Sequence, residues 1–362
     1  MRFERDSSGP FATTLELSPT SRFDVIDVRR AIENLYDGVL ERFRRVLYFS
    51  HHTTAGFLDQ RAAHRLHDRR EGLDGFVRSF QQLFPRDAGY SHDAMELRTE
   101  LTDEERLSEP PNADAHLTFM SSGLQSCVTY FNRPGFPVFL LDLDGVYRGT
   151  ARRRQASVVA YDREVLVAEV EAKVPVSRHA IDSVNLRDER VGLDQQVDEL
   201  LRTHEVENGR LDIVLGANER AAGLTVNEYE TLLMRHDLAD ILRDPVRFMA
   251  RQGRRMLRDP RAVPTKSLGY ARYDVVRIIN RLMDATGLSD SAFEGLLSRL
   301  MALPAERRLR FKRSLSMPVR SDNLGRSQLV TGRYQTPIMI QWAAAPGQTR
   351  RIELRLSRFA ND

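Results

Sequence analysis

The feature that most constrains the fold of this chain is an internal repeat carried by three colinear pairs of segments. TSRFDVID (20–27) aligns with VSRHAIDS (176–183) through its Ser-Arg and Ile-Asp pairs. LYFSHHTTAGF (47–57) aligns with VLGANERAAGL (214–224), each a β-type apolar run followed by polar residues and then Ala-Gly. FPVFLLDLDG (136–145) aligns with TPIMIQWAAA (336–345), and each leads into an Arg-rich alternating stretch. Agreement in order at three separate places favours duplication over chance likeness of short strands. The offset grows along the chain: Ala55 precedes Ala222 by 167 positions and Pro137 precedes Pro337 by 200, so the second copy holds about 33 more residues in its middle. The expected domains are 1–172 and 173–362, the second with a helical insertion at about 243–316.

That insertion has helical spacing. DVVRIINRLMDATG places Val275, Ile278, Ile279 and Leu282 on one face, and FEGLLSRLMALPAERRLRFKRSL continues the pattern. Gly287 is a natural stop and Ser289-Asp290 a natural start between the two. Elsewhere the repeat is mostly strand: FATTLEL, RVLYFS, AHLTFM, QSCVTYF, FPVFLLDL and ASVVAYD are short β-branched or aromatic runs bounded by Pro, Gly, Asn and Ser. Helices are expected over DVRRAIENLYDGVLERF and GLDGFVRSFQQLF. Strands follow strands without regular helical crossovers, so the fold class is antiparallel α+β.

Composition narrows the function classes. The net charge is only +3, and the basic side is almost wholly Arg, with Lys only at 173, 266 and 312. Arg clusters alternate with acids and read as solvated faces, so a nucleic-acid surface is not indicated. A single cysteine, Cys127, permits no internal disulfide. The start MRFERDSSGP lacks the apolar core of a signal peptide, and no run reaches the roughly 18 apolar residues of a membrane helix. The expectation is a cytoplasmic protein without membrane contact.

Six of the nine histidines fall in the first 116 residues, three of them in polar punctuation: His52 in HHTTAG, His92 in GYSHD and His116 in NADAH. His52 ends one strand-like run and His116 begins another, HLTFM. Such positions converge on one point more readily than mid-strand ones, and three imidazoles with an open fourth position suit a catalytic zinc site. Scattered surface or hydrogen-bonded histidines are the alternative, because the spacings match no local metal signature. His64 and His67, in the polar stretch RAAHRLHDRR, read as a solvated helix face.

HHTTAG, a helix ending in LFP, Gly-Tyr-Ser-His-Asp, then Asn-Ala-Asp-Ala-His-Leu and Ser-Ser-Gly resemble, in this order, the YjbQ family, also called the secondary thiamine-phosphate synthase family. The resemblance covers roughly residues 10–172. It implies an α+β sandwich that assembles as a homo-oligomer, a divalent metal ion (zinc or magnesium) on His52, His92 and His116, and Thr53, Asp93 and Asn112 lining the same pocket. The second copy resembles the same family with different losses. AAGLTVNEYETLLMRHDLADIL holds the family's Asn-Glu as Asn227 and Glu228, and TGRYQTPIMIQW holds Gly332, Tyr334 and Gln335. Glu219 stands where His52 stands, whereas copy one has Gln60 and Arg61 in place of Asn-Glu and Gly135 in place of the Gln.

Two readings follow. In one, the copies share a composite site in which the histidines of the first face Glu228, Arg333 and Gln335 of the second. In the other, the second copy is a structural partner. The resemblance implies a metal-dependent enzyme acting on a phosphorylated small molecule, with weak thiamine-phosphate synthesis attributed to some members of the family, and Thr53, Asp93, Asn112, Glu228 and Gln335 in the site. The alternative is a non-catalytic metal- and ligand-binding or assembly protein. A third reading comes from VFLLDLDGVYRG, which matches the first motif of haloacid-dehalogenase phosphatases, with Asp142 as nucleophile and Asp144 as acid or base. The expected strand after it argues instead for a hairpin with Asp-Gly at its turn.

Overall fold

The computed structural model describes residues 9–228 and 311–361, apart from 67, 82–83, 85, 88–89, 99–100 and 179–181. The first half runs β1 (Phe11–Leu17), β2 (Asp24–Asp27), α1 (Val28–Leu35), β3 (Arg45–Ser50), β4 (Ala55–Gly56), α2 (Gln60–Arg65) and α3 (Arg70–Gln81). It continues through α4 (Asp103–Ser108), α5 (Ala113–Ser122), β5 (Cys127–Phe131), β6 (Phe139–Asp142), β7 (Val146–Tyr147), β8 (Thr150–Ala151) and β9 (Arg154–Tyr161). The second half runs β10 (Arg163–Pro175), β11 (Asp182–Asn185), α6 (Leu193–His204), β12 (Asn208–Leu215), β13 (Ala222–Asn227), β14 (Ser314–Ser321), β15 (Ser327–Leu329), β16 (Thr336–Gln341) and β17 (Thr349–Ala360). The class is α+β with antiparallel sheets, and no helix among the described residues is long and apolar enough to cross a membrane.

The larger sheet of the first half has the order β1-β9-β3-β5, and that of the second β10-β17-β12-β14-β15. The smaller sheets are β2-β6-β4 and β11-β16-β13. Taken in chain order, β1 to β6 and β9 of the first half have counterparts at the same places in the second, whereas the β7–β8 hairpin and the edge strand β15 have none. Registers adjust two sequence alignments. Asp24 and Asp182 both open their strands and both accept a main-chain N–H from four or five residues upstream, Thr20 and Ser177, so Asp24, not Asp27, matches Asp182. Asp142 pairs with Ala55 as Gln341 pairs with Ala222, one position later than the Pro137 and Pro337 alignment places it.

Alternation on single strands ties the halves together. On β3, Val46 and Tyr48 enter the main core of the first half, while Leu47 and Phe49 point the other way, into a cluster completed by Phe359 of β17. There Tyr161 and Phe359 stack with centroids 3.8 Å apart. On β16, Ile338 and Ile340 join the first half's core and Met339 the second's. A strand whose alternate residues face two cores belongs to both, which is the period-two geometry of the pleat.

Three sequence expectations change. AHLTFM is not a strand: it lies in α5, all ten of whose residues are buried. A helix enclosed on every side loses its polar stripe and reads as a β-type apolar run; the stop signal was Gly123, left-handed at the C-terminus. The helix expected over DVRRAIENLYDGVLERF is α1 and a short 3-10 turn, Val39–Arg42, parted by Gly38 at φ 64°. The β7–β8 hairpin turns at Arg148-Gly149, φ 48° and 79°, between the paired Tyr147 and Thr150 and four residues after the Asp144-Gly145 expected at the turn. Gly145 instead allows close approach, since a Cβ there would lie 2.7 Å from the Ser21 carbonyl. The insertion helices fall outside the described residues up to 310, and Ser314-Leu315 at the end of that stretch lie in β14.

Candidate metal centre

Two histidines of the first half and one carboxylate of the second come together. His116 projects from the second turn of α5, His92 from the 3-10 turn Ser91–Asp93, and Glu228 follows the last residue of β13. One ligand atom from each lies within 4.8 Å of the other two, and all three residues are buried. His116 Nε2 is 3.5 Å from Glu228 Oε2, His92 Nε2 is 4.0 Å from the same oxygen, and the imidazole centroids are 4.9 Å apart.

The hydrogen-bond network fixes the state of His116. Asn227 Oδ1 accepts the main-chain N–H of Glu228 at 2.7 Å, and its Nδ2 donates to the Thr53 carbonyl at 3.2 Å, so the amide has one orientation. His116 Nδ1 lies 2.7 Å from that Oδ1 and therefore carries the hydrogen. Its Nε2 then presents a lone pair to a carboxylate oxygen. Burial, reinforced by His92, lowers the His116 pKa to about 4, which keeps the ring neutral at pH 7. Burial works against the Glu228 carboxylate, but His116, His92 and the Arg98 guanidinium hold its pKa below the usual range. Arg98, itself buried, donates to Glu228 Oε1 at 2.6 Å.

The other expected residues stand around this cluster. Asp93 Oδ1 lies 3.4 Å from His92 Nδ1 and accepts the Ala113 N–H at 3.0 Å, so it caps α5 while it touches the first histidine. Asn112 donates to Asp144 Oδ2 at 2.9 Å, and Asp144 also pairs with Arg152. Thr53 is represented by its carbonyl, held by Asn227. Gln335 donates to the carbonyls of Ser50 and His52 at 2.7 and 3.0 Å, while its Oε1 accepts the Gly332 N–H. Arg333 lies outside, pairing with Glu105 at 3.1 Å.

His52 is not brought into the cluster. Its Nε2 accepts the Gln155 N–H at 2.7 Å, and burial, with Arg154 and His51 adding repulsion, lowers its pKa to about 3. Glu219 does the same work in the second half, accepting the Arg351 N–H at 2.9 Å. The set the fold assembles is thus His92, His116 and Glu228 in place of His52, His92 and His116. Arg98 and the orienting amide of Asn227 were not singled out as site residues from the sequence. For Arg98 the available signal was chemical, since a buried carboxylate demands a cation.

The phosphatase motif meets a different fate. Asp142 is fully buried and makes a two-point pair with Arg154, at 2.7 and 2.8 Å, whose guanidinium also donates to the Asp144 carbonyl. Arg350 repeats that arrangement with Gln341 and the Ala343 carbonyl. A carboxylate committed to a buried guanidinium is a structural strut, and the same strut recurs without any carboxylate in the second half.

No protein-family model matches the chain, and no curated protein matches it. Among solved structures it is similar to a YbjQ-like protein of unknown function from Sulfolobus solfataricus P2, at 14% identity over 54% of this chain and 99% of that one, with a TM-score of 0.30. A hypothetical protein from Aeropyrum pernix K1 matches at 14% identity over 54% and 100%, TM-score 0.27. A YjbQ/UPF0047-family protein from Clostridium acetobutylicum matches at 10% identity over 52% and 98%, TM-score 0.25. Each spans about half of this chain.

Proposed function

We propose that the protein binds a divalent metal ion through His92, His116 and Glu228, at the junction of two duplicated halves. The observation that carries this is the pair of electron-rich atoms, His116 Nε2 and Glu228 Oε2, facing each other 3.5 Å apart in a buried setting. Two lone-pair donors repel unless a positive charge lies between them. Direct hydrogen bonding is a poor account, because the distance is long for N–H···O and the ring would have to take a second proton against its lowered pKa. The spacing suits two donors each about 2.0–2.2 Å from one ion. Two imidazoles and one carboxylate favour zinc over magnesium, which prefers an all-oxygen shell.

Local charge supports a cation. Asp93, Glu109, Asp114, Asp144 and Glu228 outnumber Arg22, Arg98 and Arg152 in the surrounding network, with Glu109 raised in pKa by its burial. Duplication is supported by the repeated strand order and by the matching roles of His52 and Glu219, and of Arg154 and Arg350. A zinc ion in such a donor set can lower the pKa of a bound water. The chain's own residues would hold the imidazoles neutral and the carboxylate ionised, orient them and exclude bulk water. Enclosure suits an ion that joins the halves; a phosphorylated small molecule would reach it only if surrounding segments moved aside.

Zinc is therefore expected to stabilise the full chain against urea, by about 2.7 kcal/mol at a free concentration 100 times Kd. Glu228→Gln should abolish that gain. An unchanged midpoint in the wild type across a zinc titration would reject the proposal.

A further inference from the structure

Building on that metal reading, we propose that Asn227 is the positioning residue of the centre: one amide sets the tautomer of His116 and clasps the first half's 50–53 loop. Ion binding and docking of the halves thereby become one coupled event.

Asn227 is completely buried. Its amide makes three hydrogen bonds, and each leads to a different part of the problem. Oδ1 accepts from Glu228 N, which fixes where the carboxylate ligand leaves the main chain, and from His116 Nδ1, which turns Nε2 toward that carboxylate. Nδ2 donates to the Thr53 carbonyl, on a loop of the opposite half. Gln335 holds the same loop two residues away, through the Ser50 and His52 carbonyls. Its own Oε1 is turned inward to Gly332, so it reaches no ligand. The two amides thus read the loop by its main chain, but only Asn227 connects it to the metal ligands.

The coupling follows from the chemistry. A neutral imidazole has one hydrogen for two nitrogens, and an acceptor at Nδ1 places it there, leaving Nε2 as the ligand atom. Without Asn227 the hydrogen is free to move to Nε2, where it can donate to Glu228 and block the ligand position. Partners that orient a metal-bound histidine in this way are worth roughly 10- to 100-fold in metal affinity. Linkage is reciprocal, so an ion that favours the oriented His116 also favours the docked loop.

The test uses the full-length protein with ¹⁵N-labelled histidine. In the metal-free wild type, the imidazole nitrogens of His116, assigned by their loss in His116→Gln, should show the Nδ1–H tautomer. Asn227→Ala should shift the ring toward Nε2–H and weaken zinc binding, measured against a chromophoric chelator, by roughly 10- to 100-fold. Asn227→Asp, which keeps an acceptor but loses the donor to the Thr53 carbonyl, covers the case in which the alanine variant fails to fold; it should retain the tautomer while the loosened loop lets the His51 amide, bonded to the Gln155 carbonyl, lose protection from hydrogen exchange. An Asn227→Ala protein with the wild-type tautomer, or with zinc affinity within twofold of wild type, overturns the proposal. Because the tautomer is read without metal, it separates the two claims: a wild type that binds no zinc but shows a tautomer governed by Asn227 defeats the metal reading alone.

Discussion

His52 accepts a main-chain N–H through its only available lone pair, and this decides both its charge and its part in the molecule. Protonation would set two N–H groups against each other beside Arg154. Its pKa lies near 3 in the folded chain and near 6.5 when unfolded, so its contribution to stability is complete above pH 6.5 and is lost as pH falls toward 3. In metal-free protein, the free energy of unfolding should decline between pH 7 and 4.5 by up to about 1.4 kcal/mol per pH unit more in the wild type than in His52→Gln. Parallel pH profiles in urea titrations would contradict this. The sequence marked His52 as special but not why, because a histidine that binds a metal and one that receives a backbone amide look alike in a motif.

At the scale of elements, the segment before β16 fastens the halves. A methyl group on Gly332 would lie 1.9 Å from the His51 carbonyl oxygen, too close for any side chain, and Gln335 closes two buried carbonyls of the same loop. Gln335→Ala leaves both without their donor, at a cost on the order of 2–4 kcal/mol. Gly332→Ala should cost at least as much, by forcing main chain from main chain. Unfolding free energies within 0.5 kcal/mol of wild type for both would show that the loop is not a fastening point. Strands with clear β-branched runs, such as RVLYFS and ASVVAYD, were legible in the sequence. α5 was not, since full enclosure removed the periodicity that distinguishes helix from strand. The position of His116 was misread with it: the residue stands within α5, not at the start of a strand.

At the scale of the whole molecule, the likeness of three short segment pairs raised the expectation of a composite site, with residues of the second half facing histidines of the first. Glu228 was named in that composite reading, and the fold places it beside His92 and His116. The sequence reading puts the ion on His52, His92 and His116; that the fold sets Glu228 beside two of them and His52 apart was not legible, because convergence of segments more than a hundred residues apart depends on strand registers. Shared strands such as β16 and the stacked Tyr161 and Phe359 make the two halves one packed body, and the cluster sits where their polar groups meet. The most direct measurement is the metal content of zinc-equilibrated, dialysed full-length protein, compared among wild type, His52→Ala, His116→Ala and Glu228→Gln. The account predicts about one ion per chain in the wild type and in His52→Ala, and near-complete loss in the other two. Equal content in all four proteins, or loss in His52→Ala with retention in Glu228→Gln, would contradict it.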